Sequence, residues 1–215
     1  MGRSKVHTRY KLANGDRVVG VTTVTGELGW NKNQLVRWAN KLGLKGIDST
    51  KYKDDKADIG TIAHGLILEY HGGEKFDRKD YSENQLNEAQ NSFNSYLAWV
   101  KGKTLKPILL EKLLLSEMFK FGGTPDNYCE LDGVKTLIDY KTGKGIYPEY
   151  FIQVGGGYRQ LLLENGYKVD KVIILNVPRT EDESFQVKEI TKVDLCWEIF
   201  HRALQIHYLK KGLEQ

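Results

Sequence analysis

Asp126, Asp139 and Lys141 fall within one short stretch, GGTPDNYCELDGVKTLIDYKTGK, from Gly122 to Lys144. Asp132-Gly133 at its centre is a preferred residue pair for a two-residue type I′ hairpin turn. With those two residues as the loop, Leu131 faces Val134, and the antiparallel register continues until Asp126 faces Asp139. Opposed residues hold their Cβ atoms roughly 4.5–5.5 Å apart on one face, and Lys141, two positions further on, shares that face. Carboxylates so close repel each other unless a cation lies between them. Lys141 offsets part of the repulsion, and a hard divalent ion such as Mg²⁺, which takes oxygen ligands, would offset more. The alternative is a surface ion-pair cluster, but the apolar run around Asp139 (TLIDYKT) is a poor match for a freely solvated strand.

The elements that must hold this hairpin follow from periodicity. RYKLANGDRVVGVTTVTGEL carries two β-rich runs around Asn14-Gly15, a hairpin pattern. Leu35, Trp38, Ala39 and Leu42 mark an amphipathic helix started near Asn31 or Asn33 and stopped by Gly43, with Trp38 on its core stripe. DSTKYKDDKAD reads as a polar connection, and ADIGTIAHGLILEYHGG as a largely buried helix with His64 in its middle. SENQLNEAQNSFNSYLAWVKG is a further amphipathic helix, capped by Ser82 with Gln85 in the capping-box position. After Pro107 the pattern changes: ILLEKLLLSEMFKF as one strand, the hairpin, a Gly-rich helix (YPEYFIQVGGGYRQLLLENGY), a buried strand (KVDKVIILNVPR), a short edge strand (FQVKEI) and a closing helix. The expectation is an α/β fold, a central mixed sheet flanked by helices, in one domain over 1–215. Residues 1–105 form a mainly helical part carrying His64, and 106–215 an α/β core.

With these elements in order, the chain resembles the PD-(D/E)xK nuclease superfamily, whose fold is the restriction-endonuclease-like core, and in particular its RecB-like exonuclease branch. Gly123, Asp126, Asp139, Lys141 and Gln153 follow the family's Gly-x-x-Asp, Asp/Glu-x-Lys and helical Gln in order and spacing. His64 in GTIAHG matches the histidine of an upstream helix, and Glu111 the place of a further acidic residue, with Glu117 a weaker competitor. The stretch VTTVTGELGWNKNQLVRWANKLG also resembles the opening of phage-encoded members. The resemblance implies a phosphodiester hydrolase using one or two Mg²⁺ or Mn²⁺ ions. Asp126, Asp139 and the backbone carbonyl of Tyr140 would be ligands, with His64 and Glu111 joining them. Lys141 would position or help deprotonate the attacking water, and Gln153 would hold the nucleophile or the phosphate. One departure stands out. The family's Gln-x-x-x-Tyr is here QVGGGY, so Tyr158 stands five residues from Gln153, about 140° away on an ideal α-helix. Either a π-bulge resets the phase, or the helix starts after the glycines, or Tyr158 is not the family's tyrosine.

DNA, as linear duplex or single-stranded ends, is the implied substrate, with a recombination or single-strand-annealing protein as a possible partner. Lys32, Arg37 and Lys41 could contact phosphates, and Trp30 could stack on a base. The main expectation is a phage exonuclease for recombination or replication. The alternatives are a structure-specific or restriction-type endonuclease and a non-catalytic DNA-binding module. A net charge of +4 permits a nucleic-acid partner without requiring one. The two cysteines, Cys129 and Cys196, exclude a four-cysteine zinc or iron–sulfur site and read as buried thiols of a reducing cytoplasm. There is no Walker A motif for a nucleotide cofactor. No apolar run is long enough to span a membrane. The basic N-terminus has no following apolar segment, and Val6 stands where a lipidation motif after Gly2 would need Ser or Thr, so a cytoplasmic location is expected (the host cytoplasm if phage-encoded).

Overall fold

The structure, a computed structural model, describes residues 9–213. The basic start of the chain, including Gly2 and Val6, lies outside the described residues. Strands β1 (Tyr10–Lys11) and β2 (Arg17–Gly20) form the expected hairpin, with Tyr10 opposite Val18 and Gly15 at φ 90° in the turn. The second β-run stops early: Val21–Gly26 is a helix, α1. Its β-branched residues favour a strand locally, but Val21 and Val24, three apart, are both buried, so packing overrides propensity.

Helix α2 (Lys32–Gly43) starts after Asn31 as expected but buries none of its residues fully. Trp38 is only partly buried, its ring edge-on to Tyr52 at 6.0 Å, so it is not the core residue the stripe predicts. The polar stretch after it is no connection. It forms the first turns of α3 (Ser49–Tyr70), with the Asp48 carboxylate accepting from the Thr50 and Lys51 amides at 2.8 and 3.1 Å. Those charged turns are held by α4 (Glu83–Val100), through Lys56 to Glu88 at 2.8 Å and Gln85 to Asp55 at 2.9 Å. Ser82 and Gln85 form the full capping box at the start of α4.

The expected single strand after Pro107 is two, β3 (Leu105–Leu110) and β4 (Leu114–Ser116), because Glu111 takes φ 44° and breaks the extended run. Then come β5 (Phe121–Gly123), β6 (Asn127–Leu131) and β7 (Val134–Lys141). Helix α5 (Pro148–Phe151) runs into a π-helical segment, Ile152–Tyr158, and on into α6 (Arg159–Glu164). Strands β8 (Lys171–Asn176) and β9 (Gln186–Glu189) and helix α7 (Val193–Leu213) complete the order.

The fold is α/β, with two mixed sheets flanked by helices. One sheet runs β1-β2-β5-β4, with β2 and β5 parallel, so the N-terminal hairpin is tied to the second half of the chain. The other runs β3-β6-β7-β8-β9, with only β7 and β8 parallel. Side chains alternate along β7. Leu137 packs with Val172, Ile174, Tyr158 and Phe200 on one face, whereas Ile138 and Tyr140 pack with Tyr96 and Ile67 on the other. Asp139 and Lys141, in phase with Leu137, therefore face the π-helical segment.

Candidate active site

The β6–β7 turn has the expected geometry. Asp132 and Gly133 take φ 49° and 83°, as a type I′ turn requires, and Leu131 pairs with Val134 and Asn127 with Ile138. One step further, the ladder gives way to a side-chain bond: the Tyr140 amide donates to Asp126 Oδ2 at 2.8 Å. Asp126 lies where the chain passes from one sheet to the other, directly before β6. Its own carbonyl accepts from the Glu111 amide at 3.0 Å.

Close packing explains why the surrounding sequence is so rich in glycine. A Cβ on Gly123 would stand 2.9 Å from the Tyr158 ring, and one on Gly122 would stand 2.5 Å from Tyr10. A Cβ on Gly60 would meet Thr142 Oγ1 at 2.9 Å, so this glycine brings α3 against the end of β7. One turn later, His64 reaches Asp126, with Nδ1 3.6 Å from Oδ1, and rests edge-on against Tyr140 at 5.9 Å.

Towards the π-helical segment, Lys141 Nζ lies 2.6 Å from Asp139 Oδ2 and donates to Gln153 Oε1 at 3.3 Å. Gln153 Nε2 in turn donates to the Tyr158 hydroxyl at 3.0 Å. The π-bulge answers the spacing question: an i→i+5 ladder sets residues five apart on one face. The glycines that permit it are pressed against α7, where a Cβ on Gly156 would meet the Cys196 carbonyl oxygen at 2.6 Å.

Burial and charge divide the titrations. Burial pushes Asp139 up to about 6, and the neighbouring Asp126 charge adds to the rise, against the pull of Lys141. Burial would raise Asp126 as well, but His64 and Lys141 outweigh it and hold its carboxyl below the usual range. For His64, burial is overcome by Asp126, so the imidazole is raised. Burial would lower Lys141, but Asp139 and Asp126 raise it, so it is an ammonium at neutral pH. Desolvation and the Asp126 charge raise Glu111, although this residue still reaches solvent.

His64, Glu111, Asp126, Asp139, Lys141, Gln153 and Tyr158 thus form one neighbourhood, together with the backbone of Tyr140. Glu117 does not join it; its carboxylate accepts from the Ala13 amide at 2.9 Å in an exposed turn. Lys32 and Arg37 are exposed on α2, and Trp30 lines an apolar cavity with Pro148, Phe151 and Leu195. Both cysteines are buried free thiols.

No protein-family profile matches the chain, and no curated protein does. Among solved structures, it is similar to a candidate exonuclease from Eubacterium rectale at 12% identity and a TM-score of 0.40, covering 80% of this chain and 63% of that one. The chain therefore spans less than two thirds of that protein's length. It is also similar to an alkaline exonuclease from Laribacter hongkongensis at 14% identity and a TM-score of 0.33, covering 74% of this chain and 90% of that one. The same enzyme in complex with dAMP gives 14% identity, a TM-score of 0.34 and coverage of 74% and 91%.

Some neighbours of the site were not singled out from the sequence. The Tyr150 ring lies under Lys141, with Nζ 4.8 Å from its centroid. Its position three residues before Gln153, hence on the same helical face, was the available clue. Asn127 donates to the Tyr140 hydroxyl at 2.9 Å, and the Tyr96 ring packs edge-on to Tyr140 at 5.4 Å. These polar contacts brace β7 from the face opposite Asp139. No local pattern points to them, because the partners come from three separate elements.

The donor set tests the metal expectation. Two aspartates, a glutamate and an imidazole are the hard oxygen and nitrogen ligands that Mg²⁺ or Mn²⁺ takes. Among the described residues, however, no three His, Cys, Asp or Glu side chains already stand in a ready cation cage. The residues fit by chemistry, with Lys141 neutralising Asp139 in the arrangement seen.

Proposed function

We propose that the chain is a divalent-metal-dependent deoxyribonuclease of the PD-(D/E)xK type that hydrolyses phosphodiester bonds from DNA ends. The observation that carries this reading is the linked set Asp126–His64 and Asp139–Lys141–Gln153–Tyr158, gathered at one end of β7 from a turn, a strand and two helices. Asp126 and Asp139, with His64, Glu111 and the Tyr140 carbonyl, would hold Mg²⁺ or Mn²⁺, whose chemistry is to lower the pKa of a bound water and to screen phosphate charge. Lys141, held between Asp139 and Gln153, would position or help deprotonate the attacking water and donate to a phosphate oxygen. Gln153 aligns that ammonium through its carbonyl, and the buried Tyr158 hydroxyl fixes the Gln153 amide. Tyr150 screens the ammonium from solvent on its other side.

The proposal takes 1–215 as one nuclease domain. Lys32, Arg37 and Lys41 along α2 supply phosphate contacts. Trp30, 49% exposed at the edge of the apolar cavity, would stack on a base. The exonuclease and RecB-like assignments, the phage setting in recombination or replication, the host cytoplasm and a single-strand-annealing partner extend the same resemblance. End-labelled linear and covalently closed circular DNA, incubated with Mg²⁺ or Mn²⁺, test the reading. Linear DNA is degraded and circles survive; cleavage of closed circles would show an endonuclease. Binding without hydrolysis would leave only a DNA-binding module. Asp139→Asn abolishes the activity and Lys141→Ala lowers kcat by about 10²–10³-fold, as for removal of one transition-state donor. Full activity in both variants would defeat the site assignment.

A further inference from the structure

Beyond Lys141 the chain turns over the end of the sheet before it enters α5, and side chains from the neighbouring strands pin this turn at both ends. Asn176 pairs with Lys141 in the parallel register of β7 and β8, so its side chain shares the face of Asp139 and Lys141. Fully buried there, Asn176 donates from its amide nitrogen to the Gly143 carbonyl at 2.9 Å and to the Ser184 carbonyl at 2.8 Å. At the other end, the Ile146 amide donates to Gln186 Oε1 at 3.3 Å, and Gln186 Nε2 is anchored on the Ser184 hydroxyl at 2.8 Å.

A trans peptide sets its carbonyl and its N–H on opposite sides. With the Gly143 carbonyl turned in to Asn176, the Lys144 N–H points out from the sheet. The amides of Gly143, Lys144 and Gly145 find no acceptor among the described residues. The two glycines are half-buried, and Lys144 is exposed. The acids nearby are engaged elsewhere: Glu183 pairs with the Arg179 guanidinium, and Asp182 accepts from the Thr180 hydroxyl, although it also feels the Lys144 charge. Successive main-chain donors beside an ammonium, fixed in place before any ligand arrives, make an anion site.

We propose that Gly143, Lys144 and Gly145 cradle a phosphodiester of the cleaved DNA strand, next to the scissile one. This rests on the nuclease reading above and adds the path by which the strand leaves Lys141, over the ends of β8 and β9. Three residues of chain span at most about 10 Å, which keeps the cradle beside the scissile phosphate. Main-chain donors read no base, so the contact sets the register of the strand without a sequence preference.

The test is binding of a labelled duplex by the full chain in metal-free buffer, followed by fluorescence anisotropy, with a single uncharged methylphosphonate walked along each strand. Neutralising one internal position is expected to weaken binding about 10-fold, through the loss of charge-assisted hydrogen bonds. At that position alone, the penalty falls to about 3-fold in Lys144→Gln, a change at an exposed side chain. In ¹⁵N-edited spectra the amide protons of Gly143, Lys144 and Gly145 move downfield with the unmodified duplex and stay in place with the one neutralised there. Unmoved amides, or no position coupled to Lys144, in a chain that still hydrolyses DNA would overturn the cradle alone. So would coupling of Lys144 to a terminal phosphate monoester instead of an internal diester. A chain that neither binds nor hydrolyses the duplex overturns the nuclease reading and the cradle with it.

Discussion

Asp139 is 1% exposed and shares its surroundings with a second carboxylate, so its ionisation is tied to folding. Its folded pKa, about 6, lies above the ordinary aspartate value of 3.8. Between those values the native chain keeps a proton that the unfolded chain has released. The stabilisation is therefore present at low pH and lost as pH rises through about 6, a change of roughly 3 kcal/mol. Asp139→Asn carries no such loss. In metal-free buffer at pH 8 it melts higher than wild type, and the two converge below about pH 4 by thermal denaturation. Added Mn²⁺ reverses the order at pH 8, because the wild-type chain binds it and the variant does not. Wild type and variant with identical melting profiles across this range would contradict the assigned environment.

At the scale of elements, the π-helical segment carries two functions at once. It lets Gln153 and Tyr158 share a face, and its glycines let α7 approach to backbone contact. Gly156→Ala would drive a methyl into the Cys196 carbonyl and the Phe200 side chain. A loss of about 1–3 kcal/mol in urea unfolding is expected, the usual range for overpacking. The shift of the segment also lowers kcat, because Gln153 no longer meets Lys141. The Ser82 cap offers a contrast far from the chemistry: Ser82→Ala costs about 1 kcal/mol of stability and leaves kcat unchanged.

For the whole molecule, charge distribution matters more than its modest total. Helix α2 presents Lys32, Arg37 and Lys41 with no acidic residue of its own, and buries no residue fully. It fits a surface that meets phosphates rather than a core element. Arg37→Glu is expected to weaken DNA binding and to reduce the slope of log K against log salt by about one, measured by fluorescence anisotropy. An unchanged slope would remove α2 from the DNA interface.

The type I′ turn at Asp132-Gly133, the capping box at Ser82 and the pairing phase of β6 with β7 are local in origin, and residue types alone determined them. For the same reason, residue type and spacing bring Asp126, Asp139 and Lys141 to one end of the hairpin. The failures were equally physical. VTTVTG became a helix because Val21 and Val24 had a core to enter, and DSTKYKDDKAD became one because Glu88 and Gln85 on a distant helix secured it. Whether Gln153 and Tyr158 share a face depended on how closely α7 presses on three glycines. The places of Tyr150 beside Lys141, Glu111 beside Asp126 and Tyr96 behind Tyr140 likewise came from contacts between elements remote in the chain. The sequence determined the ladder as far as Asn127 and Ile138, one step short of the two carboxylates. Only the tertiary structure decided what surrounds them, because burial and neighbouring charge are properties of assembled elements.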